Sequence, residues 1–196
     1  MRAPRLVVAV AILAGCRNAG PESDPSATVW PAPGHASTAS SVVASHTDAG
    51  LVFIPQTEAT DCGPAAIAMT LSYYGRPTTL DASKAATHLQ SDGTSALDLV
   101  NAAEASGLGT WGIHADAEIV LPVLRTGDIL HFDFNHFVVF EALAADGVVL
   151  MDPAVGRRVI DRAEFAKHYT GVALLFERSP AALEARKRSV GAAPAP

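Results

Sequence analysis

The chain has 196 residues, 49% hydrophobic and 17% charged, with a formal net charge of -6. That length predicts one domain with room for a proper core. The acidic balance, with no Lys/Arg stripe in mid-chain, argues against a nucleic-acid-binding protein.

The first sixteen residues read as a bacterial lipoprotein signal. Arg2 and Arg5 precede the apolar run Leu6 to Leu13, which is too short to span a bilayer. Leu13-Ala14-Gly15-Cys16 resembles a lipobox, whose cysteine is acylated and becomes the mature N-terminus. The expectation is a signal peptide at 1–15 and a lipid on Cys16. The protein would then be held on a membrane of the cell envelope, facing away from the cytoplasm. The competing readings are an ordinary secretory signal, or a misplaced start ahead of a cytosolic protein. Cys16 and Cys62 are the two cysteines, and in principle they can pair; acylation of Cys16 leaves Cys62 as a free thiol. Residues 16–50, rich in Ala, Ser, Pro, Thr and Gly, read as a flexible linker reaching roughly 30 Å. His35 and His46 fall there as solvated linker residues.

A folded domain is expected over 51–178. Leu51 to Pro55 reads as a short strand. Cys62 opens a helix in which Asp61 is a suitable N-cap and Pro64 a tolerated first-turn residue. Ala65, Ala66, Met69 and Tyr73 follow at helical spacing, and Gly75 with Pro77 stops the helix. Asp81 to Leu89 predicts a short helix capped by Asp81. Ser95 to Ser106 predicts another, with Leu97, Val100 and Ala103 on its apolar face and Gly107 at its end. Strands are predicted at Thr110 to His114, Ile129 to Asp133, His136 to Leu143, Val148 to Met151 and Val172 to Glu177. Ala145-Asp146-Gly147 is a hairpin turn, and Asp161 to His168 a short helix. Residues 179–196 read as a tail with a short exposed helix and a frayed end. Helices precede strands, so the fold class is α+β.

The chemistry centres on Cys62. A thiol at a helix N-terminus lies in a field that favours thiolate, which is the nucleophilic form. His136 begins an apolar strand and supplies a proton carrier. Asp152, following the next strand and preceding Pro153, is placed to orient the imidazole and stabilise its charge. Gln56, six residues before Cys62, offers an amide to an oxyanion together with the Cys62 backbone N–H. Taken singly, each has a plain structural reading: core cysteine, structural histidine, Asp-Pro turn. A metal site from His131, Asp133 and His136 is disfavoured, because on one strand the first two share the face opposite His136. No metal or cofactor is expected. His88, His114 and His168 show no partner in the sequence.

Three stretches in order resemble the double-glycine leader peptidase family, the papain-like, bacteriocin-processing cysteine peptidase domain found fused to peptide-exporting transporters. They are Gln56 to Gly75, HFDFNHFVVF at 131–140 and DPAVGRRVIDRAEF at 152–165; Gly93 to Leu97 resembles the segment opening the family's next helix. The resemblance covers about Leu51 to Glu177. It implies a papain-like α+β fold with N-terminal helices packed on an antiparallel sheet, and cleavage after Gly-Gly in the leader of an exported peptide. It assigns Cys62 as nucleophile, His136 as general base and acid, Asp152 as orienting residue and Gln56 to the oxyanion hole. A peptide exporter is the implied partner. Many relatives carry a second cysteine where this chain has Ala66. Transporter-borne relatives cut on the cytosolic side, whereas the signal here points outward. Two other functions are weighed beside it: a non-catalytic leader-binding module, and a cell-envelope amidase or wall-peptide hydrolase using the same chemistry.

Overall fold

The computed structural model describes residues 50–191. The signal segment, Cys16, His35, His46, the linker up to residue 49 and the tail from 192 lie outside the described residues. Among the described residues six helices and six strands run in the order α1 (Cys62–Tyr73), α2 (Leu80–Ala86), α3 (Ala96–Ala105), β1 (Gly109–His114), α4 (Ala117–Val120) with a 3-10 turn at Leu121–Val123, β2 (Ile129–Phe132), β3 (His136–Ala144), β4 (Gly147–Asp152), β5 (Gly156–Ile160), α5 (Arg162–His168), β6 (Tyr169–Glu177) and α6 (Pro180–Gly191). The strands form one antiparallel sheet in the order β1-β6-β2-β3-β4-β5.

Both faces of this sheet are covered. On one face Ile129, Phe137, Val139, Met151, Leu174 and Phe176 pack against Cys62, Ala66, Ile67 and Met69 of α1 and Leu99 and Ala103 of α3. On the other, Leu130, Phe132, Val138, Phe140 and Leu150 pack against Phe165 of α5 and Val120 and Leu121. A strand buried on two sides has no polar face to show, which is why Phe137 to Phe140 and Val148 to Met151 are unbroken apolar runs. α1 is likewise apolar all round: ten of its twelve residues are buried. Small residues allow its close approach. A Cβ at Gly63 would lie 3.2 Å from Thr94 and 3.4 Å from Phe137.

Several local expectations are corrected. Leu51 to Pro55 is not a strand; only Val52 makes a bridge. The N-cap of α2 is Thr79, whose side chain accepts from the Ala82 N–H, and Asp81 lies in the first turn. In α3 the buried stripe is Ala96, Leu99, Ala102 and Ala103, while Leu97 is exposed. The sequence reading had no element at α4 or β5. β2 ends at Phe132, one residue early, because Asp133 and Phe134 turn into the left-handed region with φ of 50° and 61°.

The largest correction concerns the tail. α6 is docked rather than exposed. Its Arg186 is buried and holds Asp128, at the entry to β2, through Nη1–Oδ1 and Nη2–Oδ2 contacts of 3.0 and 2.5 Å. Asp128 also accepts from the Phe176 and Arg125 backbone N–H groups, and Arg186 donates to the Phe176 and Val123 carbonyls. A desolvated pair of this kind is costly to break from one side, because the other charge stays buried. Arg186→Met is therefore expected to destabilise the domain by about 3–5 kcal/mol. Urea unfolding checks this; a loss under about 1 kcal/mol would show that α6 is not anchored by this pair.

Candidate active site

Cys62 is the first residue of α1 and its side chain is buried. Asp61 precedes it at the N-cap position but makes no side-chain cap, which corrects the sequence expectation. Its carboxylate turns back to accept from the Thr57 N–H at 3.1 Å, the Thr57 hydroxyl at 2.8 Å and the Glu58 N–H at 3.0 Å, and it pairs with Lys84 of α2 at 2.7 Å. Burial opposes its charge, but Lys84 and these N–H donors outweigh burial and hold its carboxyl below the usual range. Asp61 thus organises the approach loop and leaves the helix end uncapped by a carboxylate beside the thiol.

Gln56 sits on that loop. Its backbone N–H donates to the Pro153 carbonyl at 3.0 Å, which ties it to the turn after Asp152. Its Nε2 donates to the Glu58 carbonyl at 2.9 Å, and its Oε1 is buried without a hydrogen bond. One amide hydrogen is engaged and the second remains for another acceptor.

His136 opens β3, and Asp152 closes β4, its neighbour in the sheet. His136 Nε2 lies 2.8 Å from Asp152 Oδ1. The ring is also hydrogen-bonded to Cys62. With Nε2 on the carboxylate, Nδ1 is the nitrogen left for the thiol. Burial works against a charge on this ring, but the bonds to Asp152 and Cys62 outweigh it and raise its pKa from 6.5 to about 10. Asp152 is pushed up by burial and pulled down further by His136, the Ala154 N–H and Arg158, so its carboxyl lies below its ordinary 3.8. The three residues that the sequence suggested as a unit therefore meet, in the order Cys62, His136, Asp152.

Around them stand groups the sequence reading did not place. His131 is buried with its ring 4.9 Å from that of Phe137. The Thr170 hydroxyl lies 2.9 Å from the His131 Nδ1 and 3.1 Å from the His131 carbonyl oxygen, so it ties the ring to its own backbone. Burial first, then the charge of His136, lowers the His131 pKa to about 4 and keeps it neutral. His131 and Asp133 do not share a strand face opposite His136, as a single strand would require, because the turn at 133–134 intervenes. Among the described residues no three His, Cys, Asp or Glu are arranged to hold a metal. His168, for which the sequence gave no partner, sits between Asp133 and Glu164, at 2.7 Å from Nδ1 and 2.8 Å from Nε2. Burial opposes its charge, but the two carboxylates raise its pKa. The Glu164–His168 spacing was visible on a helix; the Asp133 contact spans 35 residues and was not. Arg158, 3.2 Å from Asp152 Oδ2, was likewise hidden in a charged run.

The His136–Asp152 pair gives a pH signature. A histidine raised from 6.5 to about 10 contributes stability in full below 6.5 and loses it as pH rises through about 10. An aspartate lowered from 3.8 contributes in full above 3.8 and loses it as pH falls through its folded value. Asp152→Asn is expected to show its largest stability deficit between those two ordinary values, shrinking towards either extreme. Urea unfolding of both proteins across pH tests this; a deficit that does not vary with pH would mean the pair is not ionic.

Residues 51–181 match the Peptidase C39 family. The colicin V secretion/processing ATP-binding protein CvaB of Escherichia coli is 37% identical over 121 residues, 62% of this chain and 17% of that protein. The chain thus spans less than a fifth of that curated relative. A solved double glycine motif protease from an AMS/PCAT transporter, in complex with the leader peptide, is 33% identical with a TM-score of 0.63, covering 65% of this chain and 91% of that one. The peptidase domain of Streptococcus ComA, described as a bi-functional ABC transporter of a quorum sensing pathway, is 26% identical with a TM-score of 0.59, covering 63% and 95%. With the helices packed on an antiparallel sheet, the α+β papain-like fold is that of these domains, and the chain belongs to the Peptidase C39 family of cysteine peptidases.

Proposed function

We propose that this protein cleaves a peptide bond after a Gly-Gly pair in the leader of an exported, bacteriocin-like peptide, with Cys62, His136 and Asp152 as its catalytic unit. The observation that carries the reading is the His136 ring held between the Cys62 thiol and the Asp152 carboxylate at the N-terminus of a buried helix. In this mechanism the Cys62 thiolate attacks the scissile carbonyl and forms the C–S bond. The carbonyl electron pair becomes an oxyanion, received by the Cys62 N–H and the free amide hydrogen of Gln56. Collapse expels the amine, which takes the His136 proton, and leaves a thioester. His136 then takes a proton from water, and hydroxide attack releases the acid and the thiolate. Asp152 holds the ring and stabilises its charge throughout.

The substrate reading draws on the solved relative bound to a leader peptide and on relatives described as secretion and processing proteins. A peptide exporter is accordingly the proposed partner. The segment Leu13 to Cys16 supports a lipid-anchored protein facing out of the cytoplasm.

Cys62→Ala is expected to abolish cleavage of a double-glycine leader peptide, and His136→Ala nearly so. Gln56→Ala should fold normally and lose roughly 10²–10³ in turnover. Double variants should be little worse than the worst single one. Mass-spectrometric mapping of the cut peptides reads all of these; losses that multiply across sites would break the catalytic unit. A wild type that binds leaders and cuts none would instead be a binding module, and cleavage of wall fragments alone would make it an envelope hydrolase.

The anchor has its own test. Metabolic labelling with a fatty-acid analogue should mark the full chain and miss Cys16→Ala. Equal labelling of both, or unlabelled soluble protein, would remove the lipid and the location with it.

A further inference from the structure

Asp152 is engaged at both of its oxygens. Oδ1 takes His136 Nε2 and the Ala154 N–H, at 2.8 and 2.9 Å. Oδ2 faces Arg158 Nη2 at 3.2 Å. In the β4–β5 register Arg158 stands opposite Leu150, two residues before Asp152 and on the same face of the strand. Its guanidinium therefore reaches along β4 to the carboxylate. Neighbouring Arg157 faces the other way, its Nε shared by both Glu141 oxygens at 3.1 and 3.0 Å. The adjacent arginines serve two different carboxylates.

Exposure separates their roles. The Arg157 side chain is 50% exposed, so its pair is largely screened. Arg158 is 15% exposed and Asp152 4%, so their pair sits where solvent screens little. A carboxylate held at one oxygen only, here by the imidazole and the Ala154 N–H, keeps some freedom about its Cβ–Cγ bond. A cation paired with the second oxygen through Nη2 opposes that rotation. We infer that Arg158 is a positioning residue, clamping the second oxygen of Asp152 so that the first stays directed at His136.

The inference rests on the peptidase reading for its effect on rate, but not for its effect on the His136 ring. The charged or titratable groups around the triad are Cys62 from α1, His131 from β2, His136 from β3, Asp152 from β4 and Arg158 from β5. Removing Arg158 takes a cation from beside Asp152. The carboxylate then protonates at higher pH, and the imidazolium, now its sole side-chain cation, deprotonates at higher pH.

The experiment pairs Arg158→Gln with Arg158→Lys. In leader-peptide cleavage, Arg158→Gln is expected to lower kcat by about 10- to 100-fold with little change in KM, and to move the acid limb of the pH profile upward. Arg158→Lys keeps the charge without the planar fork, so it should keep the acid limb and recover part of the rate. Separately, NMR titration of His136 in a Cys62→Ala background should show the ring staying protonated to higher pH when Arg158→Gln is added. Wild-type kcat, acid limb and His136 titration in Arg158→Gln would overturn the clamp. A wild type that cuts nothing would count against the peptidase reading alone, since the titration needs no substrate and still decides. Should Arg158→Gln fail to fold, Arg158→Lys decides: a several-fold lower kcat at unchanged KM supports the clamp, and wild-type kcat overturns it.

Discussion

Burial of α1 against the middle of the sheet is the constraint on which the site depends. Cys62 and His136 lie on elements far apart in sequence, and their geometry is as good as the packing between those elements. Ala65, Ala66 and Ala68 keep the helix narrow, and Gly63 lets it approach Phe137, the residue after His136. A close-packed interior leaves little room for drift, so the helix N-terminus and the start of β3 are fixed relative to one another. Ala66 is fully buried in this interface as a packing residue.

On that frame the charges alternate. A thiol at a positive helix end, an imidazole, a carboxylate and a guanidinium follow one another from α1 across β3 and β4 to β5. Each is partly or wholly out of water and each is compensated by its neighbour, the arrangement that partly buried charges require. His131 is the exception that fits. Lying beside a cationic His136, it stays neutral because burial and that charge both oppose its protonation. A second cation there would compete for the role Asp152 gives to His136.

Much of this was legible in the sequence, for identifiable reasons. α1 and its stop were readable because helix periodicity, Pro64 and Gly75 act locally. β3 and β4 were readable because strands covered on both faces become continuous apolar runs. Cys62, His136 and Asp152 could be nominated because each sits at the end of a readable element, a helix start, a strand start and a strand end. What failed depended on distance or on competing partners. Asp61 has the chemistry of an N-cap, but Thr57, Glu58 and Lys84 claim its oxygens first. Thr79, two positions before Asp81, takes the cap of α2. Arg186 looked like a solvated tail charge, and only the fold reveals the Asp128 it meets 58 residues earlier. Arg157 and Arg158 are chemically identical in sequence; the strand register alone sends one to Glu141 and the other to Asp152.

The turn between β2 and β3 shows what this long-range assembly costs. Asp133 and Phe134 both sit at positive φ without being glycine, and Phe134 is also exposed. Such residues are held at a cost on the order of 1–3 kcal/mol each, and persist only when their surroundings over-determine them. Here the Asp133 N–H donates to the His168 carbonyl, its carboxylate meets the His168 ring, and the Asn135 N–H closes back on Phe132. His168 in turn is fixed by Glu164 on α5, a helix seated through Phe165 in the second core. The backbone entering His136 is thus anchored from the face of the sheet opposite α1. Cys62 is set by the first core and the approach to His136 by the second, so the pair forms correctly only when both faces of the sheet are closed.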